Sequence, residues 1–370
     1  TRNHVILQDS AFVVEMQQML ADAFGLLLPG APIKSLLTVP IAASRPTTVL
    51  YLIPRAALAR GSGGPVDAPT PVRALRVELT GESVHFFADF DDDEHLTLVV
   101  PHTPTLDVSE WIREGERMLD GGRADALADL PAPCALTPGT IAVHTLDPGT
   151  GRVLATRRTT GEATWGLGLG TPAPAGPDQP LAALFFNTSG FFPELIPQRL
   201  LRAYAHRVDV ASLPIADGRP PRLLAYELAS GQLVSWDCPP GWCILSPCFV
   251  PRGGDPHTRS GHVVCLAHAA TGVPRPSGTS GEELWIFDAE DIARGPVCRL
   301  GRPDLDFAFT IHAAWVPTLQ PSPRDYRVSA AQDLDLELLH HQSFGGLSFQ
   351  GAFSADRKST RLNSSHATLS

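Results

Sequence analysis

The chain has 370 residues and a formal charge of −10, so it suits one large domain or two ordinary ones and lacks the basic face that nucleic acids require. No run of about eighteen apolar residues predicts a membrane-spanning helix. Only 18% of the residues are charged, whereas Gly (32) and Pro (35) are abundant. So high a content of glycine and proline, which interrupt regular structure, favours many short strands joined by turns.

Strand-like segments recur along the whole chain. In order they are residues 4–16, 47–55, 72–79, 83–90, 95–102, 140–146, 151–159, 222–228, 231–236, 261–269, 282–289 and 296–301. The links 91–94, 147–150 and 229–231 have the composition of hairpin turns. Repeated hairpins with little helix between them predict an all-β fold, either a β-propeller or another large multi-sheet arrangement.

Two segments have the pattern of short helices. Residues 107–122 offer Asp107 or Ser109 as an N-cap and end in a glycine pair. Residues 15–30 carry apolar side chains near one face, namely Met16, Met19, Leu20, Phe24 and Leu27. This stripe favours ordinary core packing, and the alternative is that the 16–30 segment makes a peripheral contact with a membrane.

The C-terminal tail differs in amino-acid composition from the rest of the chain. Aliphatic patterning stops in residues 356–370, where Ser, Thr, Arg and Lys take over. We expect this tail to be disordered and non-native, which leaves residues 1–355 as one partial catalytic domain. The six cysteines lack the paired spacing of a zinc site. They are interpreted as apolar strand residues of an intracellular protein, cytoplasmic or plastid.

Three histidines at apolar strand positions are the candidate functional residues. They are His4 in NHVIL, His85 in SVHFF and His312 in TIHAAW, far apart in sequence. The axis of a propeller is a place where distant strands converge, and neutral imidazole suits Fe, Zn or Cu. The alternative for each is a core histidine bonded to a nearby carbonyl.

Other ionisable residues receive simpler interpretations. Seven histidines lie near turns or at exposed strand positions, namely His102, His206, His257, His262, His268, His340 and His341. The run DFDDDE, residues 89–94, lacks the ligand periodicity of a calcium-binding loop. It is predicted to be a solvated hairpin tip.

Several stretches match the motifs of one known family. FAFTIHAAWVP, residues 307–317, resembles a strand F-H-G-x-W-V-P, and residues 222–252 resemble a stretch that ends in E-P-x-F-V-P-R. Residues 83–98 are similar to a strand F-H-x-x-N-A-x-E, and residues 3–18 to H-x-F-x-L-T-E-N-Y. These are motifs of the carotenoid cleavage oxygenases, which the chain resembles from residue 1 to about 317.

The resemblance implies a seven-bladed β-propeller, incomplete at the N-terminus, with a few short helices capping one face. It places His4, His85 and His312 on an axial Fe(2+) and gives no catalytic residue beyond these ligands. The implied reaction is O2-dependent cleavage of a conjugated C=C bond in a carotenoid, apocarotenoid or stilbene-like substrate to two carbonyl products. Four aromatic residues are candidates to line the substrate tunnel, namely Phe12, Phe86, Phe309 and Trp315. The alternative, which we favour, is that they belong to the core.

The chain departs from the family pattern at three places. The first of the family's four iron histidines falls before Thr1, which predicts an N-terminally truncated member. Two acids that support the ligands are Ser246 and Phe191 here, and the motif asparagine is Asp89 or Ala88. The departures leave a second hypothesis, a catalytically weakened or inactive propeller that binds lipids or protein partners. A hydrolase lacks support because no G-x-S-x-G elbow is present.

Overall fold

The structure is a computed structural model, and its described part consists mainly of antiparallel β-sheet. It describes residues 1–9, 46–61, 71–83, 85–106, 112, 114–124, 134–173, 180–253, 260–270, 272–275, 282–307, 310, 312–316 and 318. Every described helix and strand belongs to one compact unit, which comprises Thr1–Gln18 and Pro40–Trp315. The boundary predicted at residue 355 lies outside the described residues.

Within the described residues the strands form four sheets, and chain neighbours are sheet neighbours throughout. The first sheet contains β1 (His4–Asp9), β2 (Thr47–Pro54) and β3 (Leu75–Thr80). The second contains β4 (Phe87–Ala88), β5 (Leu96–His102), β6 (Pro138–Leu146) and β7 (Val153–Trp165). The third contains β8 (Leu167–Ala173), β9 (Ala183–Thr188), β10 (Arg222–Glu227) and β11 (Leu233–Asp237). The fourth contains β12 (Trp242–Pro251), β13 (Gly261–Ala269), β14 (Glu283–Asp288) and β15 (Pro296–Gly301).

Helices are few and short in the described part. They are α1 (Arg55–Gly61) and α2 (Gln198–Tyr204), with single 3₁₀ turns at Pro193–Leu195, Val210–Ser212 and Ile292–Arg294. None of these helices is long and apolar enough to cross a membrane.

Consecutive sheets pack face to face through apolar side chains. Leu50 and Leu52 of the first sheet share a core cluster with Leu98 of the second. Equivalent clusters join the second sheet to the third through Val99 and Phe186, and the third to the fourth through Phe185 and Phe249. Since Phe185 and Phe186 point to opposite faces of one strand, β9 is buried on both sides. This stacking of meander sheets in chain order is the arrangement expected of propeller blades.

The predicted hairpins are confirmed, and their turns explain why. At the β6–β7 turn the carboxylate of Asp147 accepts hydrogen bonds from the N–H groups of Gly149 and Thr150, at 2.8 and 3.1 Å. This side-chain capping is the property that makes Asp a turn residue. At the β10–β11 turn the N–H of Gly231, at φ +74°, donates to the carbonyl of Glu227.

Several element predictions were wrong or incomplete. The strands β8, β9 and β12 were missed. The first is rich in Gly and Pro, and the other two have no polar alternation. The helix predicted over 107–122 is not present in residues 114–122, where Gly115 and Gly121 have positive φ angles that a helix excludes. Of the rest of this predicted helix only residue 112 is described, and the predicted helix 15–30 lies wholly outside the described residues.

Candidate metal and substrate site

An apolar cavity of about 340 Å³ lies where the second, third and fourth sheets meet. The ends of several strands and the loops after them form its walls. The lining residues are His85, Pro101, Thr103, Leu106, Cys134, Ala135, Gly166, Leu167, Gly168, Leu169, Asn187, Ser189, Leu245, Ser246, Thr310 and His312. A concave, mostly apolar site with few polar groups is the usual form of a small-molecule site.

Two of the three predicted histidines meet at this cavity. The ring centroids of His85 and His312 are 5.3 Å apart, with their planes tilted by 44°. The backbone at His85 is held by Ser83, whose hydroxyl donates to the carbonyl groups of His85 and Pro101 at 2.6 and 2.8 Å. The His85 ring also packs on Phe87, at 5.1 Å between centroids. The loop before β4 therefore fixes one imidazole.

The surroundings of His85 favour its neutral form. Burial lowers the pKa of His85, and the nearby His312 lowers it further. Its Nδ1 atom is buried and has no hydrogen-bond partner among the residues that the structure describes. Neutral imidazole is the form that coordinates a metal ion. The His85–His312 pair thus has the chemistry of part of a metal site.

His312 itself does not lie as its sequence predicted. The described residues of its stretch, 310 and 312–316, belong to no strand, and 312–316 are exposed. Trp315 is 47% exposed, so the core position favoured for it is wrong. Phe86, by contrast, packs against the core cluster of the first two sheets, which confirms the core interpretation there. Phe12 and Phe309 lie outside the described residues.

His4 occupies a different place, beside the tip of the β4–β5 hairpin. Its Nδ1 lies 2.7 Å from the Oδ2 of Asp92, which also accepts hydrogen bonds from the Thr1 hydroxyl and the Asn3 N–H. Gln8, at the other end of β1, donates to the carbonyl of Ser83. Four residues of strand, about 13 Å, therefore separate His4 from the end of β1 that lies near Ser83.

The contact of His4 with Asp92 centres on a buried carboxylate that several donors stabilise. Burial acts to raise the pKa of Asp92, but the hydrogen bonds from Thr1, His4 and Asn3 outweigh it, so that this pKa is lowered. The side chain of Asp92 is fully buried, and the solvated hairpin tip predicted for residues 89–94 is therefore wrong at this position. Among the residues that the structure describes, no group of three or more His, Cys, Asp or Glu side chains is placed to hold one metal ion.

Comparison with known proteins identifies the family. The sequence profile of the RPE65 family, described as Retinal pigment epithelial membrane protein, matches residues 1–317. The chain is a carotenoid cleavage oxygenase family member. None of the curated proteins matches its sequence significantly.

Solved structures of this family resemble the chain at low identity. A point mutant of Synechocystis apocarotenoid oxygenase is 15% identical with a TM-score of 0.50, over 86% of this chain and 52% of that one. Cobalt-substituted Synechocystis ACO is 16% identical (TM-score 0.49; 86% and 52%), and Pseudomonas brassicacearum lignostilbene dioxygenase is 18% identical (0.46; 86% and 54%). The chain spans about half the length of these proteins. The first likeness supports the propeller fold of the carotenoid oxygenases, and the count of seven blades stays a prediction.

A hydroxyl pair stands where the carotenoid oxygenase motif has an acid. The Oγ of Ser246 and the Oγ1 of Thr310 share a hydrogen bond of 2.8 Å at the cavity wall. Ser246 has φ +49° and lies at an irregularity in the pairing of β12 with β13, between Leu245 and Cys248. Bulges of this kind re-aim side chains near functional sites. The other acid position, Phe191, packs on Trp165 in a separate core cluster.

Sequence reasoning missed several buried polar residues of this family member. His102 and His144 lie between the first two sheets with ring centroids 5.8 Å apart. His102 ends β5 just before a turn but is 2% exposed, so an exposed position is excluded for it. Asn187 lines the cavity and is 7% exposed. Its only sequence signal is a single amide within the apolar run LAALFFNTSG, which is too weak to assign a role.

Proposed function

We propose that the protein is a non-haem Fe(II) dioxygenase that cleaves a conjugated C=C bond of an apocarotenoid, carotenoid or stilbene-like substrate. Both atoms of O2 enter the products, so one C=C bond and one O=O bond give two C=O groups without an added reductant. The observation that carries the proposal is the pairing of His85 with His312 at an apolar cavity. Membership of the carotenoid cleavage oxygenase family supports it.

The chain's own residues have distinct parts in this proposal. His85 and His312 would hold the ferrous ion, which supplies O2 activation when bound. Burial keeps His85 neutral and ready to coordinate. Leucine side chains, among them Leu167 and Leu245, keep water out of the cavity and accept an apolar substrate. The role of His4 as a third ligand stays a prediction.

The size of the cavity bears on the substrate. About 340 Å³ is near the lower end of the range for small-molecule sites, which is roughly 300 to 1,000 Å³. A two-ring stilbene or a shortened apocarotenoid fits such a volume better than an intact carotenoid. The cavity therefore favours the smaller members of the proposed substrate class.

A second function is favoured by the weak support around the imidazoles. The buried Nδ1 of His85 has no hydrogen-bond partner, and Ser246 replaces the acid expected near the site. Loss of such a carboxylate costs roughly ten- to a hundredfold in metal affinity or activity. The alternative is accordingly a catalytically weakened propeller that binds lipids or protein partners.

Iron content and turnover of the full-length protein test the proposal. We expect near-stoichiometric iron in the parent, its loss in His85→Ala and His312→Ala, and its retention in His206→Ala, which removes an exposed imidazole. Iron is measured by mass spectrometry, and the two carbonyl products by chromatography after incubation with stilbene or apocarotenoid under O2. Iron without turnover supports the binding protein, and no iron in the parent contradicts both the metal site and the enzyme.

A further inference from the structure

One amide interrupts the apolar interior beside the cavity. Asn187 is on β9, and Phe185, two residues earlier on the same face, belongs to the core cluster between the third and fourth sheets. Asn187 is 93% buried on this face of the strand, and yet its side chain ends in a carboxamide. Because Asn187 lines the cavity, this amide is a polar group on an otherwise mostly apolar wall.

A glycine on the neighbouring strand makes room for this amide. A Cβ atom at Gly168 of β8 would lie 3.0 Å from the Nδ2 and 3.1 Å from the Oδ1 of Asn187. Both residues line the cavity. The carboxamide therefore lies over the Gly168 backbone, and any larger residue at 168 would displace it.

The amide is costly to bury unless it is satisfied. Among the described residues, no side-chain hydrogen bond is formed by Asn187, which is 7% exposed, and a buried amide without a partner destabilises a protein. A ligand oxygen placed in the cavity would accept from its Nδ2 or donate to its Oδ1. An apolar ligand of the same shape would leave the amide unpaired, and sites of this type discriminate against such analogues.

We propose that Asn187 is a specificity-determining residue that recognises an oxygen substituent of the substrate. The protein then selects a hydroxyl- or carbonyl-bearing stilbene or polyene over the hydrocarbon of the same shape. This inference rests on the proposed substrate class. It does not depend on iron, because the amide acts on binding and not on the reacting bond.

Equilibrium binding to the full-length protein tests the inference. The probes are 4-hydroxy-trans-stilbene and unsubstituted trans-stilbene, measured by titration calorimetry. We expect the parent to bind the hydroxylated probe about three- to tenfold more tightly, the range for one neutral hydrogen bond. Asn187→Leu, which keeps the volume and removes the polar atoms, should bring the ratio to about one without weakening binding of the hydrocarbon.

A second variant separates the amide from general damage to the fold. Gly168→Ala leaves Asn187 in place but crowds its carboxamide, so we expect the same loss of preference in a protein with an unchanged circular dichroism spectrum. An unchanged ratio in both variants, or equal affinities in the parent, overturns the role of Asn187 and leaves the dioxygenase proposal standing. Failure of the parent to bind either probe contradicts the substrate class and with it this inference.

Discussion

At the scale of single residues, Ser246 decides how well the histidine pair is supported. A histidine ligand normally donates its remote N–H to a carboxylate or carbonyl group, which fixes the orientation of the ring. Here the nearby polar group at the cavity wall is a hydroxyl pair, Ser246 with Thr310, and the Nδ1 of His85 has no partner. Among the described residues, the site thus has imidazoles without an acid that would orient them.

Ser246→Glu should strengthen iron binding. The new carboxylate would stand at the cavity wall, and its negative charge and acceptor atoms favour a cation beside the imidazoles. We expect a gain of about tenfold in iron affinity, measured by competition with a chelator. Ser246→Gln is the matched control, because it has the same size without the charge. Equal affinities of the two variants would show that Ser246 has no such position.

At the scale of elements, β1 is attached to the β4–β5 hairpin through one buried carboxylate. Asp92 binds the hydroxyl of Thr1, the N–H of Asn3 and the ring of His4. Its neighbour Asp93 is 54% exposed and pairs with Arg2 at the surface. Adjacent residues of the same type therefore have opposite environments: Asp92 makes its contacts in the interior, whereas Asp93 bonds to Arg2 and Asn3 at the surface.

Asp92→Ala should destabilise the fold far more than Asp93→Ala. Removal of the buried carboxylate leaves the Asn3 N–H and the His4 ring without an acceptor, at a cost of about 2 to 3 kcal/mol. The exposed pair contributes about 0.5 kcal/mol or less. Urea unfolding of both variants measures the difference. Similar losses from the two substitutions would mean that the Asp92 contacts do not stabilise β1.

Elements with alternating patterns and polar turns could be predicted from the sequence, whereas buried irregular ones could not. The β6–β7 hairpin could be predicted from Asp147 and the glycines that follow it, because the hydrogen bonds of a turn form between residues close together in the sequence. β9 has no alternation, since both its faces are covered by neighbouring sheets. His85 and His312 were found through motif resemblance, but the attachment of His4 to Asp92 depends on how β1 lies along a hairpin ninety residues away.

At the scale of the whole molecule, the buried histidine pair between the first two sheets makes stability depend on pH. Burial lowers the pKa of His102 to about 4, and the charge of Arg158 adds to the effect. Burial likewise lowers the pKa of His144 to about 4, with smaller contributions from His102 and Arg158. The Nε2 atoms of both rings are buried without a hydrogen-bond partner in the described part of the chain. Both imidazoles are therefore neutral in the folded state.

Acid should weaken the fold through this pair. Below pH 6.5 the unfolded chain takes up protons on these histidines, while the folded protein does not until about pH 4. The free energy of unfolding should fall across this window by about 3 kcal/mol for each of the two histidines, beyond the loss from other groups. Urea unfolding of the parent and of His144→Gln from pH 7 to 4 gives the free energy of unfolding of each, and the difference between the two pH profiles measures the contribution of His144. His206→Gln should reproduce the parent curve, and a pH profile unchanged in His144→Gln would contradict the assignment.

The cysteines of this fold differ sharply in accessibility. Cys243, Cys248 and Cys265 are buried or half-buried strand residues, as interpreted from the sequence. Cys134 and Cys238 are buried but lie outside the strands, so the strand interpretation is wrong for them. Cys298 is exposed on the outer strand β15. Burial raises the pKa of Cys238 to about 12 and keeps that of Cys265 well above its usual value. A maleimide dye added to the native protein would accordingly attach to β15, the outer strand of the fourth sheet, and leave the interior thiols intact, which provides a fluorescent reporter without engineering the chain.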